Sequence, residues 1–372
     1  MVMVLEVNGA SYSNWSSTRI SRSMENISGH FRFSATSSPE LSFPVKPGDA
    51  VKVKIGTKVV LTGYVDSVEV SYSASDHTIH VEGRDKTADI VDSKVDHKIE
   101  FHAPITLEDV VSQTLSSIGA SDVSVINKVG DLEPFTAGEL ISAHIGQSAY
   151  DFMELYARKR QVLLTTDGLG NIVFVRASEE DTGLTFISIP GDSRSNILSA
   201  EVRYNDEHRY NLYKFYSQGN PGGNKYLADS PSELTNKTGQ YIDSKIRSSR
   251  QYHEIAEAST VKTTLEARAK WEGQVREAKS LKYTCKVAGH TYSHNNNAAY
   301  MPNMLVNVSD QFANLYRSML ITEVSSEYNV SSGSITTLTL LPPEAFALLE
   351  EDRLNTKEKR AARRAARKAK HL

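Results

Sequence analysis

The side chains best suited to chemistry are two histidine pairs, one thiol, a glycine-rich tip and a basic–acidic run. His290 and His294 stand four apart, a spacing that sets two metal ligands on one helical face. They lie between Gly289 and Asn295-Asn296-Asn297, which is loop composition, and no Asp, Glu or Cys nearby offers a third ligand. His77 and His80 are three apart in a predicted strand, so they point to opposite faces and cannot share a metal. Cys285 is the single cysteine, excludes any intrachain disulfide and reads as a small buried residue. Gly168-Leu169-Gly170 opens no helix, which makes it a hairpin tip and not a dinucleotide fingerprint. No Gly-x-Ser-x-Gly elbow, phosphate loop or zincin motif is present. With 45 carboxylates some pair will be close by chance, and spacing promotes none of them to a hydrolytic dyad. The expectation is a protein without catalytic residues, metal or cofactor.

The basic–acidic run is Gly83-Arg84-Asp85, within the stretch 81–92. It can be read as a site beside a glycine, or as a strand-to-helix corner. In the corner reading Gly83 supplies unusual torsions as the chain leaves a strand. Asp85 accepts a hydrogen bond from an amide two or three residues on.

The elements around it favour the corner. Before it, short strands alternate with turns: Val4–Val7 ends at Asn8-Gly9, and Val51, Val53 and Ile55 alternate with Lys52 and Lys54. Gly56-Thr57 allows a tight reversal into the next strand. This spacing predicts a small antiparallel barrel or sandwich over residues 1–92. Residues 93–190 read as an α+β insert, with capping boxes at Thr106/Asp109 and Ser148/Asp151. Residues 191–346 return to β structure around one long helix, roughly 260–279, with Val261, Leu265, Ala269 and Trp271 as buried candidates. A flexible loop is expected over Gly219–Asn224. Residues 347–372 form a basic helical or disordered tail. The fold class is thus β-rich α+β: two small antiparallel β-barrels flanking an insert.

The totals fit a multi-domain globular chain of 372 residues, 39% hydrophobic and 23% charged. No stretch is long and apolar enough to span a membrane, and the N-terminus lacks a signal-peptide pattern. Net charge is -3 but uneven. The tail carries a base run including Lys359, Arg360, Arg363, Arg364, Arg367 and Lys368. The stretch from Lys357 to Lys370 holds about +7, which leaves about -10 on the rest. An acidic body argues against DNA gripping by that body, and the tail is a candidate arm for an acidic partner.

Taken in chain order, several stretches resemble the baseplate hub proteins of Mu-like contractile-tailed bacteriophages. The strongest resemblance is Gly83-Arg84-Asp85-Lys86-Thr87-Ala88-Asp89, preceded by Thr62-Gly63-Tyr64-Val65-Asp66-Ser67. The helix Ala149–Arg158, the corner Met301-Pro302-Asn303 and Leu340-Leu341-Pro342-Pro343 are similar to later parts of that family. The matches span about residues 1–346, whereas the tail past Glu350 departs from the pattern. The resemblance implies a homotrimer that joins the hexameric tail tube to a trimeric central spike, with a channel through which DNA passes. It implies two equivalent barrels per chain, although no repeat is visible in the residues themselves. The chain would reside in the virion tail baseplate after synthesis in the bacterial cytoplasm. Gly83, Arg84, Asp85, Met301, Pro302 and Asn303 are then architectural. Two alternatives stand beside this: the hub of a related pyocin-like or type VI-like injection system, and a cell-wall hydrolase used during infection.

Overall fold

The computed structural model describes residues 3–36, 44–74, 77–96, 99–136, 141–216, 238–255, 265–293 and 298–347. The Gly219–Asn224 loop, the first residues of the long predicted helix with Val261, His294 and the basic tail lie outside them.

Seven strands come from the first part: β1 (Met3–Val7), β2 (Ala10–Tyr12), β3 (Ser17–Ser23), β4 (His30–Thr36), β5 (Ala50–Ile55), β6 (Lys58–Tyr72) and β7 (His77–Asp85). Period-two alternation puts Leu5, Val53, Phe33, Leu61 and Val81 wholly inside, while Lys52 stays exposed. The Asn8-Gly9 turn has both residues at positive φ, as a two-residue hairpin with the sheet's twist requires. Trp15 meets Phe33 edge-on at 5.1 Å. Each fully buried aromatic of this kind contributes roughly 1.5–3 kcal/mol through lost apolar hydration.

The insert comprises α1 (Ala88–Asp92), β8 (Glu100–Phe101), α2 (Leu107–Ser117), β9 (Val125–Asn127), β10 (Ile141–Ser142), α3 (Ala149–Lys159), β11 (Leu163–Thr166) and β12 (Ile172–Val175). Both capping residues act as expected: Thr106 accepts from the Asp109 amide at 3.1 Å, and Ser148 from the Asp151 amide at 3.0 Å. Leu107, Val110, Val111, Phe152 and Met153 then share one core with Ile172 and Phe174.

The remaining elements are β13 (Asp181–Ser188), β14 (Ile197–Tyr204), β15 (Leu212–Tyr216), β16 (Thr238–Ile242), β17 (Gln251–Ile255), α4 (Leu265–Lys279), β18 (Leu281–Ala288), β19 (Thr291–Ser293), β20 (Ala298–Ala299), β21 (Leu305–Asp310), β22 (Leu315–Asn329) and β23 (Gly333–Leu341). Close contacts group the described residues into two units, one within 3–202 and 283–340 and the other within 203–282 and 341–347. In the second unit β16, β15 and β17 make a small sheet whose Tyr213 and Phe215 pack with Ala269 of α4. Arg209 and Asp243 form a buried ion pair there at 2.6 Å. Trp271, expected in the core, is half-buried because its indole N–H reaches out to the Ala347 carbonyl at 2.7 Å.

In the first unit one 13-stranded sheet runs β14-β18-β23-β22-β3-β4-β7-β6-β5-β1-β2, with β21 and β13 attached at β22. Its order repeats. The run β14-β18-β23-β22 in the second half matches β3-β4-β7-β6 in the first, so a repeat hidden in the residues is present in the topology. The halves join where Glu323–Asn329 of β22 pair antiparallel with Ser17–Ser23 of β3.

His290 is buried beside this sheet. Its Nδ1 lies 3.3 Å from the Thr336 hydroxyl and its Nε2 has no partner among the described residues. Burial pulls the imidazole down to about 4. The neutral form is therefore the native one. Stability from this site is complete above the unfolded value of about 6.5 and is lost as pH falls toward 4. Wild-type protein is expected to lose roughly 3 kcal/mol more than His290→Phe across that window. Urea midpoints of both proteins at neutral pH and near pH 4 check this, and parallel slopes would refute it.

Candidate functional site

The candidate residues sit where β6, β7 and α1 meet. Gly83 lies inside β7, opposite Phe31 of β4 and Val65 of β6, and its φ is not in the left-handed region. The torsional reading of this glycine is therefore corrected: space is what demands it. A Cβ here would stand 2.1 Å from the Tyr64 carbonyl oxygen and 2.5 Å from the Phe31 ring. Gly63 on the facing strand is as tight, with 1.9 Å to the Arg84 carbonyl oxygen.

Arg84 points to the outer face and grips two carboxylates. Its Nε lies 2.7 Å from Asp66, and one terminal nitrogen lies 2.7 Å from Asp92 at the end of α1. The Asp92 and Asp66 hydrogen bonds push the guanidinium further up, and Arg84 holds the Asp92 carboxyl below its ordinary value. The bulge at Val65–Ser67 is what aims Asp66 at it. Alongside opens a shallow surface groove of about 490 Å³, lined partly by Arg19, His30, Arg32 and Glu82. Charges across its floor pair off, Arg19 with Glu327 at 3.4 Å and Arg32 with Glu82 at 2.6 Å.

Asp85 points the other way and is buried. It accepts from the Gly29 amide at 3.0 Å and the Thr87 amide at 3.1 Å, with the Thr87 hydroxyl 2.5 Å away. Burial pushes its carboxyl up, while these bonds and the Thr166 hydroxyl favour the ionised form. One side chain thus ties the β3–β4 hairpin, the entry to α1 and the end of β11.

Sequence reasoning missed Arg22. It follows Thr18 and Ile20 on the inward face of β3 and is buried with them. Burial pulls its guanidinium down to about 10, opposed by Asp85 and Asp167, so it stays a cation at neutral pH. Its terminal nitrogens face the Val60 and Tyr300 carbonyls at 3.4 and 3.5 Å. The signal was available: inward positions two apart occupied by Thr18, Ile20 and an arginine.

Tyr300 leads into the other candidate corner, Met301-Pro302-Asn303. Asn303 adopts φ 69 and its side chain clamps the exit from the insert. It donates to the Arg176 carbonyl at 2.9 Å and accepts from the Ser178 amide at 2.9 Å. Met301 and Pro302 are half-buried beside it. Lys359, Arg360, Arg363, Arg364, Arg367 and Lys368 lie outside the described residues. Cys285 is fully buried in β18, and burial pushes its thiol up to about 12, which leaves no thiolate at neutral pH. Gly168 and Gly170 both take positive φ at the β11–β12 tip, where the Gly168 carbonyl accepts from the Thr62 amide at 2.7 Å. Among the described residues no three His, Cys, Asp or Glu side chains converge as a metal cage. The site holds strands together.

Residues 2–85 match the family described as Mu phage baseplate assembly protein GpP-like, N-terminal, and residues 260–350 match the fourth domain of Mu phage baseplate assembly protein GpP. The baseplate hub protein gp44 of Escherichia phage Mu is 28% identical over 95% of this chain and 92% of its own length. The 43 kDa tail protein of prophage MuSo2 from Shewanella oneidensis superposes with a TM-score of 0.78 at 29% identity, covering 93% of this chain and 99% of that one. A tail protein from Neisseria meningitidis shares the fold, with a TM-score of 0.76 at 17% identity over 93% of this chain and 99% of that one. Two family matches at opposite ends and one relative along nearly the whole length agree: the chain carries Mu phage baseplate GpP domains and is similar throughout to the baseplate hub protein of phage Mu.

Proposed function

We propose that this hub is a trimeric adapter of a contractile tail, joining a sixfold tail tube to a threefold central spike and leaving a channel for DNA. The observation that carries the reading is the repeated strand order of the large sheet. A chain with two similar halves, present three times in a closed ring, offers six similar faces on one side and threefold symmetry on the other. Residues 1–92 and 191–346 supply the barrel-forming halves in this proposal, and the basic tail is an arm for an acidic partner. The charge balance supports passage of DNA without capture, because a body at about -10 repels phosphates. The channel walls need no base-reading side chains.

Sedimentation of the purified chain tests the adapter reading, with a trimer expected and a monomer overturning it. Arg84→Ala belongs in the same experiment. Its guanidinium is taken up by Asp66 and Asp92 of its own chain. The variant is expected to stay trimeric and to lose only about 1 kcal/mol, since the pairs are partly exposed. A folded monomer would make Arg84 a ring contact instead.

A further inference from the structure

The basic end of the chain carries a further inference, which rests on the reading of the tail as an arm and names its partner. Charge divides between the two units. The described residues of the unit within 3–202 and 283–340 hold 18 Lys and Arg against 27 Asp and Glu, whereas those of the other hold 11 against 8. The tail leaves from this second, basic unit. Its root is fixed there: Ala345 and Phe346 pack with Ala278 of α4, and the Trp271 indole N–H donates to the Ala347 carbonyl. Two bases flank the root. The Lys279 ammonium lies 6.0 Å from the centre of the Phe346 ring, and the Arg268 guanidinium 4.7 Å from that of Trp271. Neither forms an ion pair among the described residues, whereas Arg209, Lys245 and Arg276 of the same unit are taken by Asp243, Glu277 and Glu272.

Beyond the root, the stretch 357–370 holds eight bases, Glu358 and five alanines, and nothing else. A segment that docks in a protein groove relies on large apolar anchors, which alanine does not supply. Phosphate binding needs only cations. Four of the eight are arginines, whose planar forks match phosphate oxygens two at a time. We infer that this end of the chain, Arg268 and Lys279 together with the tail, binds the phosphate backbone of duplex DNA without reading its sequence. The acidic unit repels the duplex while the tail holds it. Contacts to phosphates alone let a protein slide along DNA, so such a hold does not stop passage.

Fluorescence anisotropy of short labelled duplexes titrated with the full chain tests this. Duplexes of unrelated sequence are expected to bind alike. Roughly six phosphate contacts give log K against log salt a slope of about -5, a weakening on the order of 1,000-fold between about 50 and about 200 mM salt. Replacing Lys359, Arg360, Arg363, Arg364, Arg367 and Lys368 together by glutamine is expected to abolish binding. Arg268→Gln with Lys279→Gln should reduce the slope by about 2. Equal melting temperatures exclude unfolding as the cause. Poly-glutamate and phosphatidylserine vesicles are titrated in parallel as competing acidic partners. Binding to either of these and not to DNA overturns the partner named here and leaves the arm reading intact. Binding to none of the three overturns both. Undiminished DNA binding by the tail variant overturns the inference, and an unchanged slope in the Arg268/Lys279 variant removes the root from it.

Discussion

Replacing Gly83 by alanine is expected to cost on the order of 3 kcal/mol or to prevent folding of the first sheet half. The reason is geometric. The new methyl would stand 2.1 Å from the Tyr64 carbonyl oxygen, a main-chain atom held in the β6–β7 ladder, and 2.5 Å from buried Phe31. Neither neighbour is the free end of a flexible side chain, so relief requires the strands to part. Gly63→Ala presses on the adjacent rung from the facing strand, 1.9 Å from the Arg84 carbonyl oxygen. The double variant should cost less than the sum of the singles, since one separation of β6 from β7 relieves both. Urea unfolding of both singles and the double measures this. A Gly83→Ala protein within about 0.5 kcal/mol of wild type would show that the ladder yields cheaply.

The second large effect belongs to Asp85. Asp85→Ala is expected to lose about 3–5 kcal/mol, because it strands two buried amides, those of Gly29 and Thr87, and removes an anion that offsets buried Arg22. Asp85→Asn keeps the volume and one acceptor oxygen but turns donor hydrogens toward donors. It should fall between wild type and alanine. Arg22→Met in the Asp85→Ala background provides the control, since removing both charges should recover part of the loss. Calorimetric melting of the four proteins gives the cycle. An unchanged melting temperature for Asp85→Ala would mean that the corner is held elsewhere.

Much of the local structure was legible. Alternation located β1, β5 and β7, Asn8-Gly9 marked the first hairpin, and Thr106 and Ser148 marked the starts of α2 and α3, whereas β3, β13, β16 and β17 went unread. These features depend on a few neighbouring residues, whose torsional and capping preferences act over one turn or one rung. The place of the corner was legible too, and its chemistry less so. Gly83 is required by contacts from two other strands, a demand that nothing in its immediate neighbours records. Alternation could have placed Arg22 on the inward face of β3, but not the distant Asp85 and Asp167 whose charges act on it there.

The hidden repeat has the same origin. A β ladder is built from main-chain groups, so β14-β18-β23-β22 can copy β3-β4-β7-β6 without copying its side chains. Which edges meet is equally silent: Arg19 and Ser325 touch at 3.1 Å across 306 residues of chain. The grouping of 203–282 apart from the strands that follow was likewise set by contacts distant in sequence. By itself the amino-acid order determined several strands, the first hairpin turn, two helix caps and the resemblance to phage baseplate hub proteins. Only the tertiary structure decided which strand lies beside which and why Gly83 must be glycine, because each depends on groups that folding alone brings within reach.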